Sequence, residues 1–133
     1  MNEILEIFKY VYLIRVPMGL FFKTREEKEE WWQVQLKNEV DKLDILRAEL
    51  TEILGRLMND AGMIDMPLGN LKRKIELTRG TEQKKAELAF LGARKKVDLE
   101  SQELVVKDIL RNMESKGIVP KHTAKVPKPK IAA

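Results

Sequence analysis

The sequence contains no cysteine and a single histidine, His122. The first absence excludes a disulfide framework, a thiolate metal site and a cysteine nucleophile. The second leaves one imidazole inside a Lys- and Pro-rich tail, where it has no preorganised acid or nucleophile beside it. No phosphate-cradling glycine motif occurs. No carboxylate stands alone in an apolar run, where burial would raise its pKa, and carboxylate-only binding of a hard cation has no motif. We expect no enzyme, no cofactor and no metal site. Glycine (7 residues) and proline (5) are also scarce, and most of them fall outside the periodic stretches described below, so little interrupts helix formation.

Aromatic residues are few and polarised. Phe8, Tyr10, Tyr12, Phe21, Phe22, Trp31 and Trp32 lie within the first 32 residues, and only Phe90 lies beyond. Charge is polarised the other way. Lys116, Lys121, Lys125, Lys128 and Lys130 occupy residues 116–133 without a single acid, while residues 1–115 carry 20 basic against 21 acidic side chains, a balance of −1. The sequence pI of 9.3 thus reports the tail rather than a basic domain.

What the chain does have is periodicity. Leu36, Leu43, Leu50 and Leu57 recur every seven residues, with Val40 and Leu54 four beyond leucines of that row and Trp32, Leu46 and Ile53 broadening it. This is a heptad-like apolar face on a helix running from about 24 to 59. Thr24 followed by Glu27 has the spacing of a capping box. Arg47 falls inside the apolar stripe, where its stem packs while its head reaches the edge or an acid on a neighbouring helix.

A second pattern repeats every eleven residues. Arg73-Lys74-Ile75-Glu76-Leu77 returns as Lys84-Lys85-Ala86-Glu87-Leu88, as Lys95-Lys96-Val97-Asp98-Leu99 and, more loosely, as Val106-Lys107-Asp108-Ile109-Leu110. Eleven residues make three turns at about 3.67 residues per turn, so this hendecad repeat predicts one continuous helix from about 70 to 115, passing through Gly80. On that helix Leu71, Ile75, Ala86, Ala89, Ala93, Val97 and Leu104 form one stripe. Leu77, Leu88, Leu91, Leu99, Val106, Leu110 and Met113 form a second, roughly opposite. Two stripes call for neighbours on both sides.

The resulting expectation is an all-α chain: an elongated helical hairpin or coiled coil of two long helices plus a short N-terminal helix, with a disordered or extended basic C-terminal tail. Residues 1–22 form an apolar and aromatic anchoring segment, 24–115 the hairpin (helices about 24–59 and 70–115), and 116–133 the tail. A membrane span over residues 4–22 is disfavoured. Lys9 and Arg15 there cost about 2.5–3.5 kcal/mol each at mid-bilayer, against about 0.3–0.6 gained per good apolar residue. Glu3 and Glu6 also oppose a secretory signal, so an intracellular or particle-associated chain is expected rather than a secreted one.

The expected function is that of a non-enzymatic structural or assembly subunit, acting through helix–helix packing with protein partners that include itself. Leu36, Leu43, Leu50, Leu57, Leu77, Leu88, Leu99 and Leu110 are the candidate association residues. Phe8, Tyr12, Phe21, Phe22, Trp31 and Trp32 are candidates for docking to a partner or a membrane surface. Lys121, Lys125, Lys128 and Lys130 are candidates for contact with nucleic acid or another polyanion. The alternatives are a nucleic-acid-associated packaging or particle-assembly protein, and a peripheral membrane protein anchored through residues 1–22.

Overall fold

The structure, a computed structural model, describes residues 24–130. It is all-α: helix α1 (Arg25–Leu57), a 3₁₀ segment (Met58–Asp65), helix α2 (Leu68–Leu77), helix α3 (Gly80–Ser115), and an extended tail, with no strand among the described residues. The chain divides into two compact units at Trp32–Gln33.

In the first unit, the start of α1 is set by the capping box. The Thr24 N–H donates to Glu27 Oε1 at 2.9 Å, and the Glu27 N–H donates back to Thr24 Oγ1 at 3.1 Å. Two N–H groups that a helix start leaves without partners are thereby satisfied. Arg25 and Glu29 pair across one turn at 3.1 Å, and the Trp31 and Trp32 rings meet edge to face with centroids 5.0 Å apart.

The second unit is built on α1 and α3, which run antiparallel. Gln102 Nε2 donates to the Glu39 carbonyl at 2.9 Å, Lys95 pairs with Glu49 at 2.9 Å, and Gly92 faces Ile53. On α1 the inward row is Gln33, Leu36, Val40, Leu43, Arg47, Leu50, Leu54 and Leu57, a three–four alternation of which only Gln33 and Arg47 are polar. The four heptad leucines are all buried, between 0% and 3% exposed. On α3 the buried row Gly92, Leu99, Val106 and Met113 also recurs every seven residues. The core therefore follows the heptad, not the eleven-residue repeat.

Gly92 sits at a close approach of α3 to α1 and to the 3₁₀ segment. A Cβ there would lie 2.9 Å from Ile53 Cγ2 and 2.9 Å from Ile64 Cγ2. Glycine lets α3 approach both α1 and the 3₁₀ segment. That segment begins at Met58, whose left-handed φ of 54° ends α1. It follows α3 through Lys85–Asp60 (2.9 Å) and Lys96–Asp65 (2.6 Å).

The expected continuous helix over 70–115 does not form. The chain leaves helical geometry at Thr78 (φ −115°, ψ 167°) and Arg79 (φ −138°, ψ 163°), and Gly80 takes φ +63°. The break is held by side chains that satisfy the carbonyls left over at the end of α2. The Thr78 hydroxyl donates to the Lys74 carbonyl, Gln83 Nε2 to that of Ile75 at 3.0 Å, and Arg79 to that of Glu76 at 3.3 Å. α2 then packs against α3, with Leu71 fully buried. Because the two helices no longer share one axis, the two stripes drawn over a single rod do not exist as such. Leu77 is 75% exposed and Leu104 61% exposed, while Leu71, Ala86, Ala89 and Ala93 are buried.

α3 ends in a Schellman motif: the Ile118 N–H donates to the Met113 carbonyl at 2.9 Å and the Gly117 N–H to that of Glu114 at 3.1 Å, with Gly117 at φ +71°. Met113 and Ile118 are both buried there.

Candidate functional site

The tail is extended and bound, not free. Gln33 Nε2 donates to the Val119 carbonyl at 2.7 Å, and Gln33 Oε1 accepts the Lys121 N–H at 3.0 Å. Further along the same helix, Asp44 Oδ1 accepts the N–H groups of Lys125 (3.0 Å) and Val126 (3.1 Å). Arg47 donates to the Val126 carbonyl and to Glu103 Oε2, each at 3.2 Å. Tail and α1 therefore run in the same direction, from Gln33 to Arg47 and from Val119 to Val126. Pro120, Pro127 and Pro129 suit this arrangement, since each favours extended backbone and removes one N–H that would otherwise need an acceptor.

The charges match as well. Glu103 stands 3.8 Å from Lys128. Asp41 titrates below its ordinary value, chiefly because Lys37 donates a hydrogen bond to it and further because Lys125 and His122 lie close. The basic tail thus lies over three carboxylates of the helical pair. Sequence reasoning missed Gln33, Asp44 and Glu103 as tail contacts. The available signal was polarity at two inward heptad positions, Gln33 and Arg47, where a core otherwise takes apolar residues. Arg47 Nε is buried with no hydrogen-bond partner among the described residues.

The expected association leucines separate into groups. Leu36, Leu43, Leu50, Leu57 and Leu99 lie in the intrachain core. Leu88 and Leu110 are half-buried, and Leu77 is exposed. Of the docking candidates, Phe8, Tyr12, Phe21 and Phe22 lie outside the described residues. Trp31 is exposed and Trp32 half-buried in the first unit. Lys121, Lys125, Lys128 and Lys130 all have exposed side chains, although the backbone of the first two is held by α1.

A second surface lies on α3 opposite its buried row. Val97 (54% exposed), Leu104 (61%) and Val105 (41%) stand there with exposed Arg94, Ser101 and Asp108. Beside it, Lys42, Ile45, Leu46, Asp98, Ser101, Gln102 and Val105 line an open groove between α1 and α3. At about 100° per residue, Leu46 lies some 200° around α1 from Asp44, so the groove and the tail occupy opposite faces of the pair.

Among the described residues no three acids or imidazoles stand together in a way that would hold a metal ion, and no helix is long and apolar enough to cross a membrane. The described residues present two surfaces: a polar clamp filled by the chain's own tail, and a helix face of mixed apolar and charged residues bordered by a groove. Comparison with protein-family models, with curated proteins and with solved structures finds no match to this chain.

Proposed function

We propose that this chain is a non-enzymatic structural subunit that acts by helix packing, with protein partners that include copies of itself. The observation that supports the reading best is the outer face of α3. Its inner row is already filled by α1, yet Val97, Leu104 and Val105 stand exposed on the other side, next to Ile45 at 58% exposure. Single exposed apolar residues are ordinary, but a run along one helix face marks an interaction surface. Residues 1–22 supply a second docking element, to a partner protein or a membrane surface.

Sedimentation equilibrium of the full chain and of a chain lacking residues 1–22 tests this. A mass above the 15.4 kDa of one chain, rising with concentration, is expected for the full chain. A monomer at every concentration overturns the self-association part of the reading. Loss of association only on removal of residues 1–22 moves the interface there.

A second reading, polyanion binding through Lys121, Lys125, Lys128 and Lys130, has one observation in its favour. The tail backbone is held along α1 at Lys121, Lys125 and Val126, so the first two of these lysines are presented from a fixed backbone. Asp41, Asp44 and Glu103 work against it by neutralising part of that charge. Anisotropy titration with single- and double-stranded DNA at low salt decides. Contact without aromatic stacking gives salt-sensitive, sequence-blind binding that is lost on deleting residues 117–133. Absence of binding at low salt removes this reading.

A further inference from the structure

We infer that the outer face of α3 is a two-fold self-association surface, on which a second copy of this chain lies antiparallel with the axis at Ser101. The inference rests on the helix-packing reading and names its partner, orientation and register.

The face is continuous. Phe90, Arg94, Val97, Ser101, Leu104 and Asp108 are spaced four, three, four, three and four residues apart, the alternation that keeps a row on one side of a helix. At about 100° per residue these six and Val105 fall within an arc of roughly 100°, and Ser101 points about 200° away from the buried Leu99. Phe90 is half-buried and the other five are exposed.

The face is also self-complementary in one orientation only. Arg94 stands seven residues before Ser101 and Asp108 seven after it, each roughly 10.5 Å from the centre along the axis. A two-fold axis through Ser101 therefore brings Arg94 of one copy to Asp108 of the other, twice per dimer. It also sets Val97, four residues before the centre, against Val105, four after it. Parallel pairing would place Arg94 on Arg94 and Asp108 on Asp108, so repulsion selects the antiparallel form. At the axis the small Ser101 side chain lets the backbones approach.

The charges are available for this. Arg94 makes no ion pair among the described residues, and the pair that Asp108 makes with Arg111 is a surface one, 66% and 68% exposed, which costs little to exchange.

The absence of cysteine makes the test direct. Ser101→Cys introduces the only thiol. Treated with a short bismaleimide, that variant should run as a covalent dimer, whereas Lys107→Cys, about 120° around the helix, should remain monomeric on the denaturing gel. In parallel, sedimentation equilibrium should show Val97→Asp combined with Leu104→Asp to be monomeric at unchanged helicity, because both side chains are already more than half exposed. Arg94→Asp and Asp108→Arg should each weaken association about tenfold, and the double reversal should restore it.

A dimer that persists in the Val97→Asp, Leu104→Asp variant, or that crosslinks equally through both cysteine positions, overturns this inference but leaves helix-packing assembly standing. A wild-type chain that is monomeric at high micromolar concentration overturns this inference together with the self-association part of the proposed function.

Discussion

Gly92→Ala, compared with Gly55→Ala, isolates the close approach at the centre of the bundle. Both glycines lie within long helices, Gly55 in α1 and Gly92 in α3. Replacing a helical glycine by alanine gains about 0.8–1 kcal/mol in each case, through helix propensity. At Gly55 nothing lies within 4 Å of the added methyl, so the gain is kept. At Gly92 the methyl would meet Ile53 Cγ2 and Ile64 Cγ2 at 2.9 Å each, against an optimum of about 3.5–4.0 Å between carbons. Neither isoleucine has room to retreat: they are 6% and 2% exposed, and β-branching restricts χ1. Overpacking of this kind costs about 1–3 kcal/mol. Gly92→Ala should therefore range from neutral to about 2 kcal/mol less stable, while Gly55→Ala gains about 1 kcal/mol. Their difference, about 1–3 kcal/mol, is the overpacking cost alone, because the propensity gain cancels. Urea denaturation followed by circular dichroism, with slopes compared so that only the midpoint is interpreted, measures this. If Gly92→Ala stabilises as much as Gly55→Ala does, α3 does not approach Ile53 and Ile64 as described.

Gly80→Ala separates a broken from a continuous helix by sign. At φ +63° alanine should lose about 1–2 kcal/mol, whereas in an unbroken helix it would gain about 1 kcal/mol, and the urea midpoint shows which. Gln33→Ala combined with Asp44→Ala should expose the amides of Lys121, Lys125 and Val126 to fast hydrogen exchange while α1 amides stay protected; unchanged protection would mean that the tail is held by something else. Glu39 titrates below its ordinary value of 4.5, first because Gln102 donates to it and then because of Lys42, with burial opposing. A depressed carboxylate pKa contributes stability above that ordinary value and loses it as pH falls through the folded-state pKa. Gln102→Leu should therefore flatten the acid limb of a stability–pH curve, and an unaltered limb would refute the link. Leu43→Asp with Leu50→Asp places two charges where the side chains are 3% and 0% exposed, so helicity should collapse; retained helicity and mass would mean that this row is not the seam.

The elements legible in the sequence are those whose partners repeat at a fixed spacing. The leucine row 36–43–50–57 could be read because one continuous helix meets another along its length, and the capping box because Thr24 and Glu27 answer each other within one turn. The break at Thr78–Arg79 followed a local rule, glycine just past a helix whose last turn carries Lys74. The eleven-residue phase points the other way, because it resumes on both sides of the interruption. A repeat reports that helix is favoured before and after a point; it does not report that the axis is shared.

The tail clamp was hidden by distance in the chain. Gln33 serves Val119 across 86 residues and Arg47 serves Val126 across 79, and what they serve is backbone, which has no sequence signature. Arg47, polar at its inward heptad position, reads as reaching the edge or an acid on a neighbouring helix, and Glu103 of α3 is that acid, whereas Gln33, polar at the matching position, carries no such reading. The same polarity now explains why a lysine- and proline-rich segment lies against a helical core. Two apolar residues at positions 33 and 47 would seal the α1–α3 seam but leave the carbonyls of Val119 and Val126 without donors. Gln33 and Arg47 exchange part of the apolar seam for a third layer made of extended chain. That layer covers one face of the α1–α3 pair and leaves the groove and the outer row of α3 on the side away from the tail.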